Sequence, residues 1–188
     1  LIDRSCCLRA RPFKRGRPVG REAVRTFLNG VRPSLPLLCV VADPFDHHDP
    51  GRGLFPNFGR RGREWERPCH VSFYEASGEL GFSMDGGLRA AGGVCRNPAF
   101  RKKSFRIYFP GRFGTGPLRY PIFGPEGLDE FTCLRLRASG NDQFQGSPRW
   151  TLMRDALNNA LWRKAGGCTT DYRFAVVALN ADVLGIYD

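Results

Sequence analysis

No apolar run in this chain approaches the ~18 residues that a membrane-spanning helix requires, so no membrane span is expected. Histidine is scarce, at 3, and the 7 cysteines (Cys6, Cys7, Cys39, Cys69, Cys95, Cys133 and Cys168) contain no C-x-x-C pair. That pattern argues against the common zinc sites, which need closely spaced Cys or His ligands, and supports no disulfide framework. The opening residues, LIDRSCCLRARPFKRG, lack the apolar stretch of a secretory signal. The chain begins with Leu rather than Met and reads as a segment of a longer protein, so this lack says nothing of that protein's destination. No internal repeat recurs. No Ser-His-Asp or Cys-His arrangement emerges, and hydrolase chemistry is not expected.

What the chain does hold is positive charge. Its 188 residues carry 29 Lys+Arg against 18 Asp+Glu, a net +11. Such a balance favours anionic partners: nucleotides, nucleic acids or acidic surfaces. The charge is spread along the chain, and the sequence demonstrates no sheet face that clusters aromatic with basic residues, which disfavours nucleic acid. Hydrophobic residues at 41% and charged residues at 25% are ordinary for a globular domain. Gly 23 and Pro 14 imply many turns and modest helix.

Residues 6–12 and 22–28 alternate polar and apolar side chains around the turn formers KRGRPVGR, the pattern of two strands joined by a loop. Residues 31–36 then form a linker with two prolines. A second unit covers 37–188. Leu37–Ala42 reads as a buried strand. The long, breaker-rich stretch that follows includes His47, His48 and Asp49, read as a surface loop, and Trp65, read as a packing anchor. Cys69, Val71 and Phe73 alternate with His70, Ser72 and Tyr74 on the next strand. A turn is expected at Met84-Asp85-Gly86, a strand at Gly87–Ala91, and further strands at Ser104–Phe109 and Phe131–Arg137. One helix is expected, with Ser147 as N-cap and Pro148 at its first position. Its apolar stripe would be Trp150, Met153, Leu157 and Leu161, and Gly166-Gly167 would end it. A hairpin, 173–179 and 183–187, closes the chain.

The chemistry concentrates in Gly87–Phe109, GLRAAGGVCRNPAFRKKSFRIYF. A glycine pair, Gly92-Gly93, stands between basic strands bearing Arg89, Arg96, Arg101, Lys102, Lys103 and Arg106. Glycine lets a backbone turn sharply and approach a ligand closely. Guanidinium and ammonium groups around such a turn suit polyphosphate.

Six segments, in order, resemble landmarks of the CotH kinase family, first described in spore coats: GRRGREWERP (59–68), GLRAAGG with Arg96 (87–96), KKSFRIYF (102–109), LRLRASGND (134–142), LMRDAL (152–157) and VVALNADVLGIYD (176–188). Residues 1–30 resemble the last strands of the immunoglobulin-like domain of chitobiase-type proteins. The resemblance implies an α+β fold: a strand-rich, atypical protein-kinase-like N-terminal lobe with one main helix, plus a remnant immunoglobulin-like hairpin. It implies ATP with Mg or Mn, a protein substrate phosphorylated on Ser or Thr hydroxyls, and an extracytoplasmic, cell-surface or spore-coat setting. Lys103 matches the lysine of the family's K-S motif and is expected to contact phosphate. Arg89, Gly92, Gly93, Arg96, Arg137, Asn141 and Asp142 are the other expected nucleotide contacts, and Asp155 the acid pairing with Lys103. Val94 and Cys95 stand where the family has small hydroxyl residues. The catalytic and metal-binding carboxylates are expected beyond the GIYD strand, so this segment alone would not complete phosphoryl transfer. A non-catalytic cell-surface or spore-coat assembly module and a basic nucleic-acid-binding domain are the alternatives.

Overall fold

The computed structural model describes residues 3–20, 22–30, 34–140, 142–143 and 148–188. Near the N-terminus, β1 (Cys6–Ala10) pairs antiparallel with β4 (Ala23–Phe27), and a nested hairpin joins β2 (Phe13–Lys14) to β3 (Arg17–Pro18). This is the expected pair of strands with a turn-rich loop between them.

Residues from Leu37 onward form a seven-stranded sheet in the order β11-β8-β7-β6-β5-β12-β13. Its strands are β5 (Leu37–Val41), β6 (Arg67–Tyr74), β7 (Leu80–Ala91), β8 (Ser104–Tyr108), β11 (Cys133–Leu136), β12 (Ala175–Leu179) and β13 (Asp182–Tyr187). A short ribbon of β9 (Leu118–Arg119) and β10 (Glu130–Phe131) lies between β8 and β11 in sequence. All neighbours are antiparallel except β12, which runs parallel to β5. Reaching that position requires a crossover, and the chain supplies it after β11 with the helix α2 (Arg154–Lys164). The fold is therefore α+β, strand-rich with one main helix. A five-residue helix, α1 (Pro44–His48), sits in the long connection before β6.

Alternation places the core. Val71, Phe73, Leu88, Phe105, Ile107, Leu134, Leu136 and Val177 are buried in one cluster, and their strand neighbours point the other way. The sheet curls until its edges meet. The Arg137 N–H donates to Asp188 O at 2.8 Å, and the Asp188 N–H returns a bond to Arg137 O at 3.3 Å. Beside that closure the buried Tyr187 hydroxyl donates to Lys103 O at 2.8 Å.

Four expectations need correction. Met84-Asp85-Gly86 is no turn: β7 runs unbroken through it, with Met84 opposite Val71 and Asp85 opposite His70. The glycines there answer close approach instead. A Cβ on Gly86 would lie 2.9 Å from Tyr108 O, and one on Gly87 only 2.3 Å from Glu66 Oε1. His47 is not on a surface loop; it is buried in α1, where desolvation, then the neighbouring His48, push its pKa down to about 4. The helix starts at Arg154 rather than Pro148, and Ser147 lies outside the described residues. Its anticipated stripe is not core. Trp150, Met153, Leu157 and Leu161 are exposed, and Ala156 is the buried residue of α2.

If Tyr187 helps hold the curled sheet shut, Tyr187→Phe leaves the part-buried Lys103 carbonyl short of a partner. Urea unfolding should show a loss of about 1 kcal/mol; an unchanged midpoint would remove this bond from the account of closure.

Candidate functional site

The glycine pair follows the last residue of β7. Gly92 takes φ +84°, a conformation open to glycine, and the chain then enters a single 3-10 turn, Val94–Arg96. Gly93 has ordinary φ and nothing within 4 Å of where a Cβ would be. Arg96 holds the turn in shape. Its guanidinium donates to the carbonyls of Gly92 (2.7 Å), Ala90 (2.7 Å), Phe58 (2.7 Å) and Arg60 (2.6 Å). That binding capacity is spent on backbone, so Arg96 acts as a staple between the glycine turn and the 58–60 segment.

A cleft of about 450 Å³ opens beside this turn. Gly92, Gly93 and Ser104 form one side; Arg135 comes from β11 and Arg137 directly follows it; Asp142, Arg154 and Asp155 come from the start of α2 and the segment before it. Five expected site residues thus meet in one place: Gly92, Gly93, Arg137, Asp142 and Asp155. Asn141 lies outside the described residues. Arg89 and Gly92 line a smaller, neighbouring cleft of about 230 Å³ together with Arg96. Lys103 lines neither. Its Nζ donates to Asn97 O at 2.8 Å and sits 5.3 Å from the Phe58 ring centroid, and burial lowers its pKa.

The expected Lys103–Asp155 pair is not formed. Asp155 is bridged by Arg137 Nη2 instead. The reason is topological: closure of the sheet brings Arg137, at the end of β11, under the first turn of α2, while Lys103 is engaged by Asn97.

Asp142 is buried and serves the helix. Its carboxylate accepts from Thr151 Oγ1 (2.7 Å) and from the N–H groups of Thr151 (2.8 Å), Met153 (3.0 Å) and Arg154 (3.1 Å). Unbonded N–H groups at a helix start need such an acceptor. Burial opposes ionisation of Asp142. The hydrogen bonds from Thr151 and the Arg154 backbone, with the Arg154 charge, outweigh it and bring the pKa to about 2.

The described acids do not make a cage for Mg or Mn. Asp142 is taken up by the helix start and Asp155 by Arg137, while Asp188 accepts from Ser139 Oγ at 3.2 Å. Among the described residues no three His, Cys, Asp or Glu side chains converge as metal ligands. A cleft of about 500 Å³ lies elsewhere: it is mainly apolar, framed by Leu38, Phe73, Leu134, Leu136 and Tyr187, and of the described expected site residues Arg137 alone borders it.

Sequence reasoning missed Arg154 and the position of Arg135, because register and the approach of α2 decide both. It also missed a hydrogen-bonded relay on β6 and β7. His70 Nδ1 lies 2.7 Å from Asp85 Oδ1, and His70 Nε2 lies 2.8 Å from Ser83 Oγ. His70 and Asp85 are cross-strand partners, as are Ser72 and Ser83. The relay is a row of neighbours on the sheet surface, away from the glycine turn. No protein-family model matches the chain, and no curated protein matches it either.

The carboxyl of Asp142 titrates lower folded than unfolded. Its contribution is therefore complete above the ordinary carboxylate range and is lost as pH falls towards about 2. Urea midpoints measured from neutral to acid pH should fall more steeply for the native chain than for Asp142→Asn. Parallel curves would contradict this role.

Proposed function

We propose that the chain is the N-terminal part of a CotH-like atypical protein kinase, with its first 30 residues the tail of an immunoglobulin-like module. The cleft beside Gly92-Gly93 holds the phosphates of ATP. The reaction of the intact protein is transfer of a phosphoryl group to a protein hydroxyl. One observation carries this reading: Arg135, Arg137 and Arg154 converge with an unobstructed glycine backbone and the Ser104 position on one cleft. Phosphoryl transfer demands mainly positioning and cationic stabilisation, and guanidinium groups bind phosphate oxygens in pairs. ATP brings its Mg or Mn with it; no step of transfer is assigned to the described residues. The six ordered segments that resemble the family support the same reading.

A second reading, a non-catalytic cell-surface or spore-coat assembly module, draws on the exposed Leu157, Leu161 and Trp162 of α2. Nucleotide binding separates the two. Titration of Mg-ATP into the chain, followed by calorimetry, should give saturable binding. Gly93→Leu, which fills the cleft without backbone strain, and Arg137→Ala should each weaken it about tenfold or more, near 1.4 kcal/mol. Absence of binding at millimolar ATP with either metal would favour the assembly module.

A further inference from the structure

The outer face of the sheet carries a row of charge, of which the cleft beside the glycine turn takes up only Arg135. Arg89 on β7 stands opposite Arg106 on β8, and Arg106 stands opposite Arg135 on β11. Three cations therefore lie side by side across three neighbouring strands. Like charges directly opposite one another destabilise a sheet. One carboxylate answers them: the buried Glu66, with Oε2 3.4 Å from Arg89 Nε.

Around this row is the smaller cleft, about 230 Å³, lined by Arg60, Arg61, Arg89, Arg96, Arg106 and Arg135, with Trp65 and Tyr108 in its wall. No described carboxylate lines it. The Arg89 guanidinium is stacked 3.8 Å from the Tyr108 ring centroid, which fixes its plane. Arg106 Nε is buried with no hydrogen-bond partner, and Arg89 Nε, buried as well, makes no hydrogen bond and has only the ion pair with Glu66. Buried donors are nearly always satisfied, so unused ones call for an explanation. Desolvation first, then the charges of Arg137 and Arg106, lower the pKa of Arg135, which reports the crowding of cations here.

An anion with several charges resolves all of these features together. The planar guanidinium fork matches two oxygens of a phosphoryl group. The cleft is below the ~300 Å³ at which sites for drug-sized ligands begin, so it suits a compact anion rather than a whole nucleotide. We propose that this cleft binds an oligophosphate chain of two or three phosphoryl groups, either free or as the phosphate tail of a nucleotide. Arg89 and Arg106 are its central contacts, Arg60 and Arg61 close over it from the loop before β6, and Arg96 contributes charge while it staples the glycine turn.

The test is calorimetric titration of the full chain with sodium tripolyphosphate, against sodium chloride at matched ionic strength. Saturable binding in the micromolar range is expected. Arg106→Gln should weaken it about tenfold or more. If that variant does not fold, Arg61→Gln, at an exposed position, should weaken it severalfold. Gly93 does not line this cleft, so Gly93→Leu should bind tripolyphosphate as the native chain does. This keeps the outcome separate from that of the kinase reading. Competition by ATP in Gly93→Leu identifies the nucleotide tail as the source; binding without competition identifies the free chain. No binding beyond the chloride control, or full binding by Arg106→Gln and Arg61→Gln, overturns the proposal.

Discussion

The antiparallel register of β7, β8 and β11 is the constraint from which the rest follows. Leu88, Ile107 and Leu134 stand side by side on the buried face. Their partners one residue along are Arg89, Arg106 and Arg135, and a pleated strand must send these to the opposite face. A slip by one residue would bury the arginines and expose the core. Hydrophobic burial therefore holds three mutually repelling guanidiniums in a line. The stack on Tyr108 and the ion pair with Glu66 offset part of that repulsion.

Closure of the sheet does the second half of the assembly. Backbone bonds between Arg137 and Asp188 bring the two edges together, and they set Arg137 beneath α2, where it meets Asp155. Asp142 then fixes the start of that helix through its N–H groups. Arg96 secures the glycine turn against the 58–60 segment in the same manner, through four carbonyls. Two groups that look chemical in the sequence, Arg96 and Asp142, are thus spent on positioning. The cleft beside the turn holds Arg135, with Arg137 paired to Asp155 and Arg154 to Asp142.

Strands were readable because period-two alternation survives in the residues themselves: Cys69, Val71, Phe73 and Phe105, Ile107 sit where that rhythm puts them. Glycine misled. Met84-Asp85-Gly86 reads as a turn, yet Gly86 and the neighbouring Gly87 serve close approach by Tyr108 O and Glu66 within a continuous strand. The helix start was misplaced because its acceptor, Asp142, lies well before it in the chain. The apolar spacing of Met153, Leu157 and Leu161 is real, but spacing does not say whether anything covers it. For the site, the glycine turn was legible from local sequence, while Lys103 lies outside its cleft and Arg135 and Arg154, which share that cleft, were not legible. The partner of Asp155 was not, since sheet closure selects it, and neither was the arginine row, since register is a property of three strands at once.

The most direct test is an NMR titration of the chain labelled with 15N-arginine, following side-chain Nε–H resonances as tripolyphosphate is added. The account predicts large, saturable shifts at Arg89 and Arg106, with Arg173, which is held by Glu75 away from the cleft, unmoved. Equal small drifts at every arginine, or a shift confined to residues outside the row, would contradict it.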